Sequence, residues 1–596
     1  MPTYKAPVDS AIFLLENVLN FKGYAQLPGF GDLTEETLGQ IVGEAAHVWE
    51  EQAVPLNQVG DRDGCVRHPD SSVTTPPGFA KAYRAIAEGG WVGISAPEEL
   101  GGQGLPYTLT ALFNEFASAA NVSFAMYVGL TQGAMAALLR HGTEEQKRLF
   151  IPKMASGAWT GTMNLTEPQC GTDLGLLTTK ATPQPDGSYA ITGQKIFISA
   201  GEHDLAENIV HLVLARIDGA PAGVKGISLF VVPKFGVGPD RALGARNKVS
   251  CGSIERKMGI HGNSTCVMNY DGAIGHIVGE PNRGLNAMFV MMNEARLGVA
   301  LQGLALSEVA YQNAAAYARE RLQGRSLSGP KNPGGKADPI IVHPDVRRML
   351  LEIKAFNQAA RALSLSVALD SDVAHRSHDA AARQAAEDRL GLLTPVLKCF
   401  ITERGFENAV KAQQVFGGMG YIVETGVEQF VRDARITMIY EGANGIQALD
   451  LVGRKLPKDG GRAISAYLRE LQGFIASNGA PELAPFVEPL QPAVGDLQKA
   501  TLWLMQNALT KPDNAGAASM DYLHLLALVA LGFASARIAK AALEKKAREP
   551  ETARAMDAKL IAARFFMERM LPETSLRLAR LSTGADTMMS LEAEMF

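Results

Sequence analysis

The segment Arg432–Gln447 reads Arg-Asp-Ala-Arg-Ile-Thr-Met-Ile-Tyr-Glu-Gly-Ala-Asn-Gly-Ile-Gln, and it says the most about the fold and chemistry of this chain. It places one carboxylate, Glu441, on a short turn between an apolar run and a new helical pattern. Gly442 has no Cβ, so the backbone and a ligand can approach each other closely there. A carboxylate beside Tyr440 and bare backbone is expected to lie partly out of water, where it suits a general base. A glutamate considered alone is more often a helix cap or a surface residue.

The bulk composition describes a globular chain with several domains. Its 596 residues are too many for one hydrophobic core. Hydrophobic residues make up 46% and charged residues 20%, as in ordinary globular proteins. A formal net charge of −5 gives no reason to expect nucleic-acid binding, which normally brings a basic patch. The N-terminal segment lacks the apolar core of a signal peptide, so we expect a cytoplasmic location.

The cysteines and the apolar runs argue against two further classes of protein, zinc-binding and membrane-spanning. The five cysteines are odd in number and form no CxxC pair, which argues for a reducing compartment and against a zinc site. The apolar run Tyr522–Ala536 is shorter than the ~20 residues that span a bilayer. It also contains His524. We therefore expect a buried helix there and no membrane span.

Changes in periodicity divide the chain into a helical part, a β part and a second helical part. The strands are expected to form a small antiparallel β-barrel, with a hairpin at Asp186-Gly187. The helices after it predict a four-helix bundle followed by an additional helical domain, so the fold class is α+β multidomain. The expected divisions are an N-terminal extension (1–40), an N-terminal helical domain (41–157), the β-barrel domain (158–280), the helical bundle with Glu441 (281–455) and the additional helical domain (456–596).

Two segments of the β part carry hydroxyl groups, and one of them also carries an aromatic side chain, in patterns that suit a bound heterocycle. Asn164–Asp173 contains Thr166 and Thr172 around a glycine, and hydroxyl groups can donate to a planar ring or a pyrophosphate. Alone, it is more often an ordinary Thr/Gly/Pro turn. The run Ile191–Ser199 ends on Lys-Ile-Phe-Ile-Ser and is in any case a strand.

Three segments of the bundle region add cations and glycines. Asn293–Arg296 and Tyr317–Arg321 each end on an arginine, whose planar fork suits phosphate, although a solvated helix face is the simpler alternative. Gln413–Tyr421 contains Gly-Gly-Met-Gly after a helix. Because it does not follow a strand, a helix end explains it better than a dinucleotide-binding turn.

Together with the Glu441 segment, these motifs occur in the order found in acyl-CoA dehydrogenases, and residues of about 40 to 455 resemble that family. The resemblance implies an FAD-dependent enzyme in which Glu441 removes the α-proton of an acyl-CoA thioester while the β-hydride passes to flavin N5. It implies substrate contacts at Arg296, Tyr440 and Gly442. It implies FAD contacts at Thr166, Thr172, Phe197, Ser199, Arg321, Gln414, Gly417 and Gly418, and no metal.

The chain departs from the family pattern at several of these positions. Phe197 and Ser199 stand where the family has Trp and Thr, which keeps the chemical type. Ala443 stands two residues after the glutamate where a threonine is usual, and Leu322–Arg325 replaces the usual Phe and Gly. We therefore assign no FAD contact to these last positions.

The resemblance also implies partners and a substrate class. The runs from Tyr317 and His343 and the added C-terminal domain are similar to long family members that oxidise 3-methylmercaptopropionyl-CoA to 3-methylmercaptoacryloyl-CoA. An electron-transfer flavoprotein is the expected electron acceptor, and a homodimer or dimer of dimers is the expected assembly. The alternatives are a general short- or medium-chain acyl-CoA dehydrogenase, an acyl-CoA oxidase, and a non-catalytic acyl-CoA or FAD-binding scaffold.

Overall fold

The computed structural model describes residues 2–596, which cluster into two compact units. One unit consists of residues 2–42 together with Val299–Phe596, and the other of Gly43–Gly298. The helices are α1 Val8–Phe13, α2 Glu35–Gln52, α3 Asn57–Asp63, α4 Phe79–Glu88, α5 Tyr107–His141, α6 Glu144–Ala155, α7 Gly284–Glu320, α8 Pro344–Arg376, α9 Ala380–Phe416, α10 Glu428–Arg435, α11 Asn444–Asp450, α12 Arg462–Ser477, α13 Ala484–Val487, α14 Leu490–Asn507, α15 Pro512–Arg548, α16 Ala553–Arg569, α17 Glu573–Leu581 and α18 Asp586–Met589. The strands are β1 Val66–Arg67, β2 Val73–Thr74, β3 Trp159–Asn164, β4 Lys180–Pro183, β5 Tyr189–Ser199, β6 Asn208–Ile217, β7 Ile227–Pro233, β8 Phe235–Val237, β9 Leu243–Arg246, β10 Val249–Ile254 and β11 Thr265–Val278.

The β part of the unit Gly43–Gly298 is a 7-stranded sheet. Its strands follow the order β10-β11-β5-β4-β6-β3, and β7 pairs with both β11 and β6. The predicted hairpin at Asp186-Gly187 is present, because β4 and β5 are antiparallel and Gly187 adopts φ +85° in the turn between them. The buried face carries apolar side chains from β5, β6, β7 and β11, among them Ile198, Val213, Phe230 and Met268.

The prediction of purely antiparallel strands is wrong at two pairs. β3 runs parallel to β6 along its whole length, and β4 runs parallel to β6 at Lys180 and Ala181. A long connection is needed between parallel neighbours, and the chain between β3 and β6 supplies it. β6 is buried from Asn208 to Ala215, as is typical of a strand with neighbours on both edges and cover on both faces.

Two helices are long and apolar enough to cross a membrane by length and composition, and both are core helices here. They are α5 and α15, and 72% and 89% of their most apolar windows are buried within the protein. α5 bends at Asn121, whose backbone is non-helical at φ −166° and ψ 96°. The Asn121 side chain accepts a hydrogen bond from the Phe124 backbone N–H at 3.1 Å, so it caps the second segment of α5.

The larger unit is helical throughout. α8 and α9 lie against each other, and α15 packs on α8, α9, α11, α14, α16 and α17. The segment between α7 and α8 is a loop that ends in a single 3₁₀ turn at Ile340–Val342. The bundle region contains three long helices, α7, α8 and α9, followed by the two short helices α10 and α11. The Glu441 segment connects these two short helices.

Candidate active site

Glu441 lies in a tight turn that joins two helical segments. α10 ends at Arg435, a single 3₁₀ turn covers Ile436–Met438, and α11 begins at Asn444. We refer to residues 439–443 as the Glu441 turn. Glu441 is half-buried and adopts φ +58°, a left-handed conformation that non-glycine residues rarely take. Such strain persists only where the surrounding structure imposes it, and it concentrates at functional sites.

Gln447 imposes this conformation from the first turn of α11. Its side-chain amide donates to the carbonyl oxygen of Gly442 at 3.1 Å and lies 3.4 Å from that of Glu441. Gly442 itself has φ +87°, and a Cβ added there would lie 2.4 Å from Gln447 Nε2. Gly442 is therefore required for its backbone angle and for the space that the Gln447 amide fills.

A glycine-to-alanine pair tests this requirement. We expect Gly442→Ala to lower the thermal unfolding midpoint, because left-handed strain costs of the order of 1–3 kcal/mol and the Gln447 amide must also move. Gly445→Ala is the matched control, since a Cβ at Gly445 meets nothing within 4 Å. Alanine is the better helix former by about 0.5–1 kcal/mol, so the control is expected to raise the midpoint. Equal midpoints for the two variants would contradict this account of the turn.

Tyr440 is fixed to α7 within the same unit. Its hydroxyl donates a hydrogen bond to the side-chain oxygen of Gln302. Burial raises the pKa of Tyr440, and the negative charges of Glu441 and Asp433 raise it further. The phenol therefore stays neutral and serves as a hydrogen-bonded support for the Glu441 turn.

A second cluster lies where α7 and α9 end. Tyr317 and Phe416 stack with ring centroids 4.3 Å apart and an interplanar angle of 22°, which fixes the two helix ends together. The Arg321 cluster, defined as Arg321, Gln414, Gly417 and Gly418, lies at these ends, and all four residues are exposed. Gly417 has φ +59°, and Cβ atoms added at Gly417 or Gly418 would meet nothing within 4 Å. The cluster thus presents one cation, one amide and bare backbone on an open surface.

The unit Gly43–Gly298 carries an aromatic side chain at a β-bulge. The β5–β11 register shifts between the pairs Cys266↔Ile198 and Met268↔Lys195, so β5 carries an extra residue there. Phe197 lies in this bulge at φ +59° and is 60% exposed. We refer to residues 196–199 as the Phe197 bulge. A bulge redirects side chains, and here it presents a large apolar ring on the surface of the unit.

The loop after β3 is attached directly to the Phe197 bulge. The Ile196 N–H donates to the Thr166 carbonyl oxygen at 2.9 Å instead of to a neighbouring strand. Ser199, the last residue of β5, pairs with Thr265 of β11 and is half-buried. Thr172 lies further along the same loop and is exposed. The structure thus brings the Thr166 backbone next to the C-terminal end of β5, where Phe197 and Ser199 lie.

A buried ion pair anchors this loop. Lys195 Nζ lies 2.8 Å from Glu167 Oε1, and the two side chains are 0% and 2% exposed. The Glu167 carboxylate also accepts hydrogen bonds from the backbone and side chains of Thr178 and Thr179. Burial opposes ionisation of Glu167, but the Lys195 charge and these hydrogen bonds outweigh it and lower the pKa of Glu167 to about 2. Burial lowers the pKa of Lys195 to about 8, and Glu167 opposes that shift.

Arg296 lies on α7 in the unit Gly43–Gly298. It is 6% exposed, and its Nη1 lies 3.4 Å from Asn293 Oδ1. Burial raises the pKa of the neighbouring Glu294 to about 8, so that carboxyl group is largely neutral at pH 7.

Sequence reasoning did not identify the residues that hold the candidate site residues in place. Gln447 and Asn444 both lie in the Glu441 segment. The local sequence does not show that Gln447 holds the Glu441 turn or that Asn444 contacts α9. Glu167 and Lys195 did have a signal in the sequence. Each is a charged residue close to a predicted FAD contact, since Glu167 follows Thr166 and Lys195 lies two residues before Phe197. Gln302 had no sequence signal.

Comparison with known proteins places these features in one family. Four family models match in succession: "Acyl-CoA dehydrogenase, N-terminal domain" at residues 67–158, "middle domain" at 162–273, "C-terminal domain" at 282–456 and "Acetyl-CoA dehydrogenase C-terminal like" at 467–592. The last match covers most of the helical region that follows residue 456.

Relatives resemble the chain over its whole length. A 3-methylmercaptopropionyl-CoA dehydrogenase of Ruegeria pomeroyi is 40% identical over 591 residues, which are 99% of each chain. A broad-specificity linear acyl-CoA dehydrogenase, FadE5, of Mycobacterium tuberculosis is 34% identical over 592 residues, which are 96% of each chain. The crystal structure of an acyl-CoA dehydrogenase complexed with FAD from Bacillus anthracis has the same fold, with a TM-score of 0.75 at 21% identity, covering 100% of this chain and 94% of that one.

Proposed function

The chain belongs to the acyl-CoA dehydrogenase family, and from that premise we propose that it oxidises 3-methylmercaptopropionyl-CoA to 3-methylmercaptoacryloyl-CoA with Glu441 as the base. It is an oxidoreductase that acts on a CH–CH bond of an acyl-CoA thioester and uses FAD. The observation that supports the choice of substrate is the 40% identity over 99% of both chains to an enzyme of that name.

The residues at the C-terminal end of β5 fit an isoalloxazine ring. Phe197 is an exposed aromatic on strained backbone, which suits stacking or edge contact with a flat heterocycle. Ser199 and Thr166 lie beside it and carry hydroxyl groups for the polar edge of such a ring. Thr172 would reach the phosphates. FAD, when bound, accepts the hydride from the β-carbon.

The Arg321 cluster fits the phosphate and ribose end of an FAD molecule. A guanidinium and a side-chain amide are suitable partners for pyrophosphate and ribose, and Gly417 and Gly418 leave room for close approach to the backbone. All four residues are exposed. We propose that this cluster holds the FAD of a neighbouring protomer, as in a homodimer or a dimer of dimers.

Glu441 supplies the proton-transfer step. The thioester α-proton is only weakly acidic, so its removal needs a positioned carboxylate and donors at the carbonyl oxygen. Gln447 and Gly442 hold Glu441 in its left-handed conformation before any ligand arrives, which limits the reorganisation required in the reaction. We propose that Tyr440, Gly442 and Arg296 contact the acyl-CoA.

The proposal extends to the setting of the enzyme. An electron-transfer flavoprotein would reoxidise the cofactor, and the protein would act in the cytoplasm. An oxidase would instead release peroxide in air without an added acceptor, so peroxide measurement separates the two reactions. A non-catalytic scaffold would fail to reduce a dye acceptor with any acyl-CoA.

Comparing three thioesters tests the choice of substrate. We expect kcat/KM to be highest for 3-methylmercaptopropionyl-CoA and about 10-fold lower for butyryl-CoA, since one chain atom in a pocket changes the rate about 10–200-fold. Pentanoyl-CoA is the matched control, because it has the same chain length with CH₂ in place of sulfur. Each would be assayed with an artificial electron acceptor.

The control decides between the proposed function and a second candidate. The similarity to a broad-specificity linear acyl-CoA dehydrogenase over 96% of both chains favours a general acyl-CoA dehydrogenase as that second candidate. Pentanoyl-CoA turnover equal to that of 3-methylmercaptopropionyl-CoA would favour the general enzyme. Preference for the sulfur-containing substrate over pentanoyl-CoA would support the proposed one.

A further inference from the structure

A buried polar network connects the C-terminal helical region to the Glu441 turn. It begins at Asn444, the first residue of α11, three positions after Glu441. The Asn444 amide nitrogen lies 3.1 Å from the Cys399 carbonyl oxygen, 3.1 Å from Thr402 Oγ1 and 3.1 Å from Glu403 Oε1, all on α9. Its amide oxygen accepts a hydrogen bond from Lys398 Nζ at 2.9 Å. The start of α11 is therefore fixed to α9 by a side chain that does not cap its own helix.

The network continues into α15. His524 Nε2 lies 2.8 Å from Glu403 Oε2, on the oxygen that Asn444 does not contact. The imidazole is 8% exposed and packs edge-on against Phe400 at 5.1 Å. Burial opposes ionisation of Glu403, but its contacts with His524 and Asn444 lower the pKa, so the carboxylate carries its charge at neutral pH. Glu403 thus bridges α15 to α11.

The position of His524 is set by the packing of α15 and not by local sequence. α15 lies within residues 467–592, beyond the part of the chain that carries the catalytic motifs, and it packs directly on α9 and α11. The buried imidazole contacts one oxygen of the Glu403 carboxylate, and the other oxygen of that carboxylate accepts a hydrogen bond from the Asn444 amide. Movement of Asn444 would carry the turn with it, because only Gly442 and Ala443 separate it from Glu441.

We propose that His524 is a positioning residue for the reaction, acting through Glu403 and Asn444 to set the place of the Glu441 carboxylate. The C-terminal helical region then has a catalytic purpose, which is to complete the support of the base. This inference rests on Glu441 as the base in the proposed function.

The same side chains also resemble a metal site, since ligand atoms of Cys399, Glu403 and His524 lie within 4.8 Å of one another. Each Glu403 oxygen is already engaged, one with Asn444 and the other with His524. Cys399 Sγ lies 3.7 Å from Glu403 Oε1 as a weak donor, and burial raises the pKa of its thiol. A neutral thiol is a poor metal ligand, so we assign the group to polar contacts around the Glu403 carboxylate.

The test compares purified flavin-loaded variants by the rate of flavin reduction per bound FAD. We expect His524→Ala to lower this rate about 10-fold, since small misplacements of a reacting group can cost up to about 100-fold. His524→Gln is expected to restore most of the rate, because its terminal amide can still donate to Glu403. The α-deuterium isotope effect on flavin reduction should rise in His524→Ala, as proton removal becomes slower.

Tyr522→Phe is the matched control. Tyr522 lies on the same helix, is fully buried, and its hydroxyl is 2.9 Å from Thr501 Oγ1, away from α9 and α11. Its variant loses a buried hydrogen bond within the C-terminal region and should keep the wild-type rate per flavin. A purely structural effect of His524 would lower the unfolding midpoint of both variants and the reduction rate of neither.

Two further measurements decide the pathway, and the single Asn444→Ala variant keeps the first of them decisive if His524→Ala folds poorly. Asn444→Ala alone is expected to lower the rate by about as much as His524→Ala does, and to cost little more when it is combined with His524→Ala, whereas independent effects would multiply. Amide hydrogen exchange of residues 442–450 should accelerate in His524→Ala and stay unchanged in Tyr522→Phe. An unchanged rate, multiplying effects or unchanged exchange would overturn the inference. Activity retained in Glu441→Gln would instead overturn the proposed base.

Discussion

Replacing Glu441 with glutamine is expected to lower turnover by a factor on the order of 10²–10⁴, because that is what a positioned general base contributes. Glutamine keeps the size of the side chain and its hydrogen-bonding capacity but cannot accept the α-proton. The left-handed backbone at Glu441 is held by Gln447 and Gly442, so the turn should survive the change. Bound FAD, measured by absorbance, and acyl-CoA binding, measured by titration, are expected to match the wild-type protein.

Glu294→Gln is the control for this experiment. Glu294 belongs to another candidate motif and burial raises its pKa to about 8, so it is the carboxyl group most open to confusion with a catalytic base. We expect its variant to retain most of the activity. An inactive Glu294→Gln protein with an active Glu441→Gln protein would reassign the base.

The second large effect concerns the stability of the β part. Glu167→Gln is expected to destabilise the protein by about 3–5 kcal/mol near pH 7, because it leaves the buried Lys195 ammonium without its counter-charge. The size of the effect should depend on pH. The pKa of Glu167 is lowered from 4.5 to about 2 on folding, so the unfolded chain binds the proton first as pH falls.

The sign of the pH dependence follows from that difference. The contribution of the Glu167 charge is fully present above about pH 4.5 and is lost as pH falls towards about 2. The gap in unfolding midpoint between wild type and Glu167→Gln should therefore be constant from pH 7 to 5 and shrink below that. Glu144→Gln removes an exposed ion pair with Lys147 and serves as the control, with no measurable change expected. A gap that stays constant down to pH 3 would contradict the assigned pKa of Glu167.

Local sequence was sufficient for the parts of the protein that depend on backbone geometry and periodicity. The turn at Glu441 was recognisable because a glycine, Gly442, follows a carboxylate between two helical patterns. The hairpin at Asp186-Gly187 and the buried helix around Tyr522–Ala536 were predicted for the same kind of reason. Each of these features is encoded within about one turn or one helix of chain.

Long-range contacts were decided by the tertiary structure alone. The alternation of side chains along a strand is the same in parallel and antiparallel pairs, so the parallel direction of β3 and β4 against β6 could not be deduced from it. The bulge that exposes Phe197 depends on the register of β11, which lies more than sixty residues further along the chain.

The same division runs through the candidate site. Sequence alone determined which residue types the site contains: a carboxylate beside a glycine, an aromatic near a serine, and an arginine and glycines at helix ends. Only the tertiary structure decided which side chains support the site. Gln447 donates a hydrogen bond to Gly442, Lys195 pairs with Glu167, and His524 contacts Glu403. Amino-acid identity sets what chemistry a side chain can perform, whereas its neighbours are set by packing between segments that are distant in the chain.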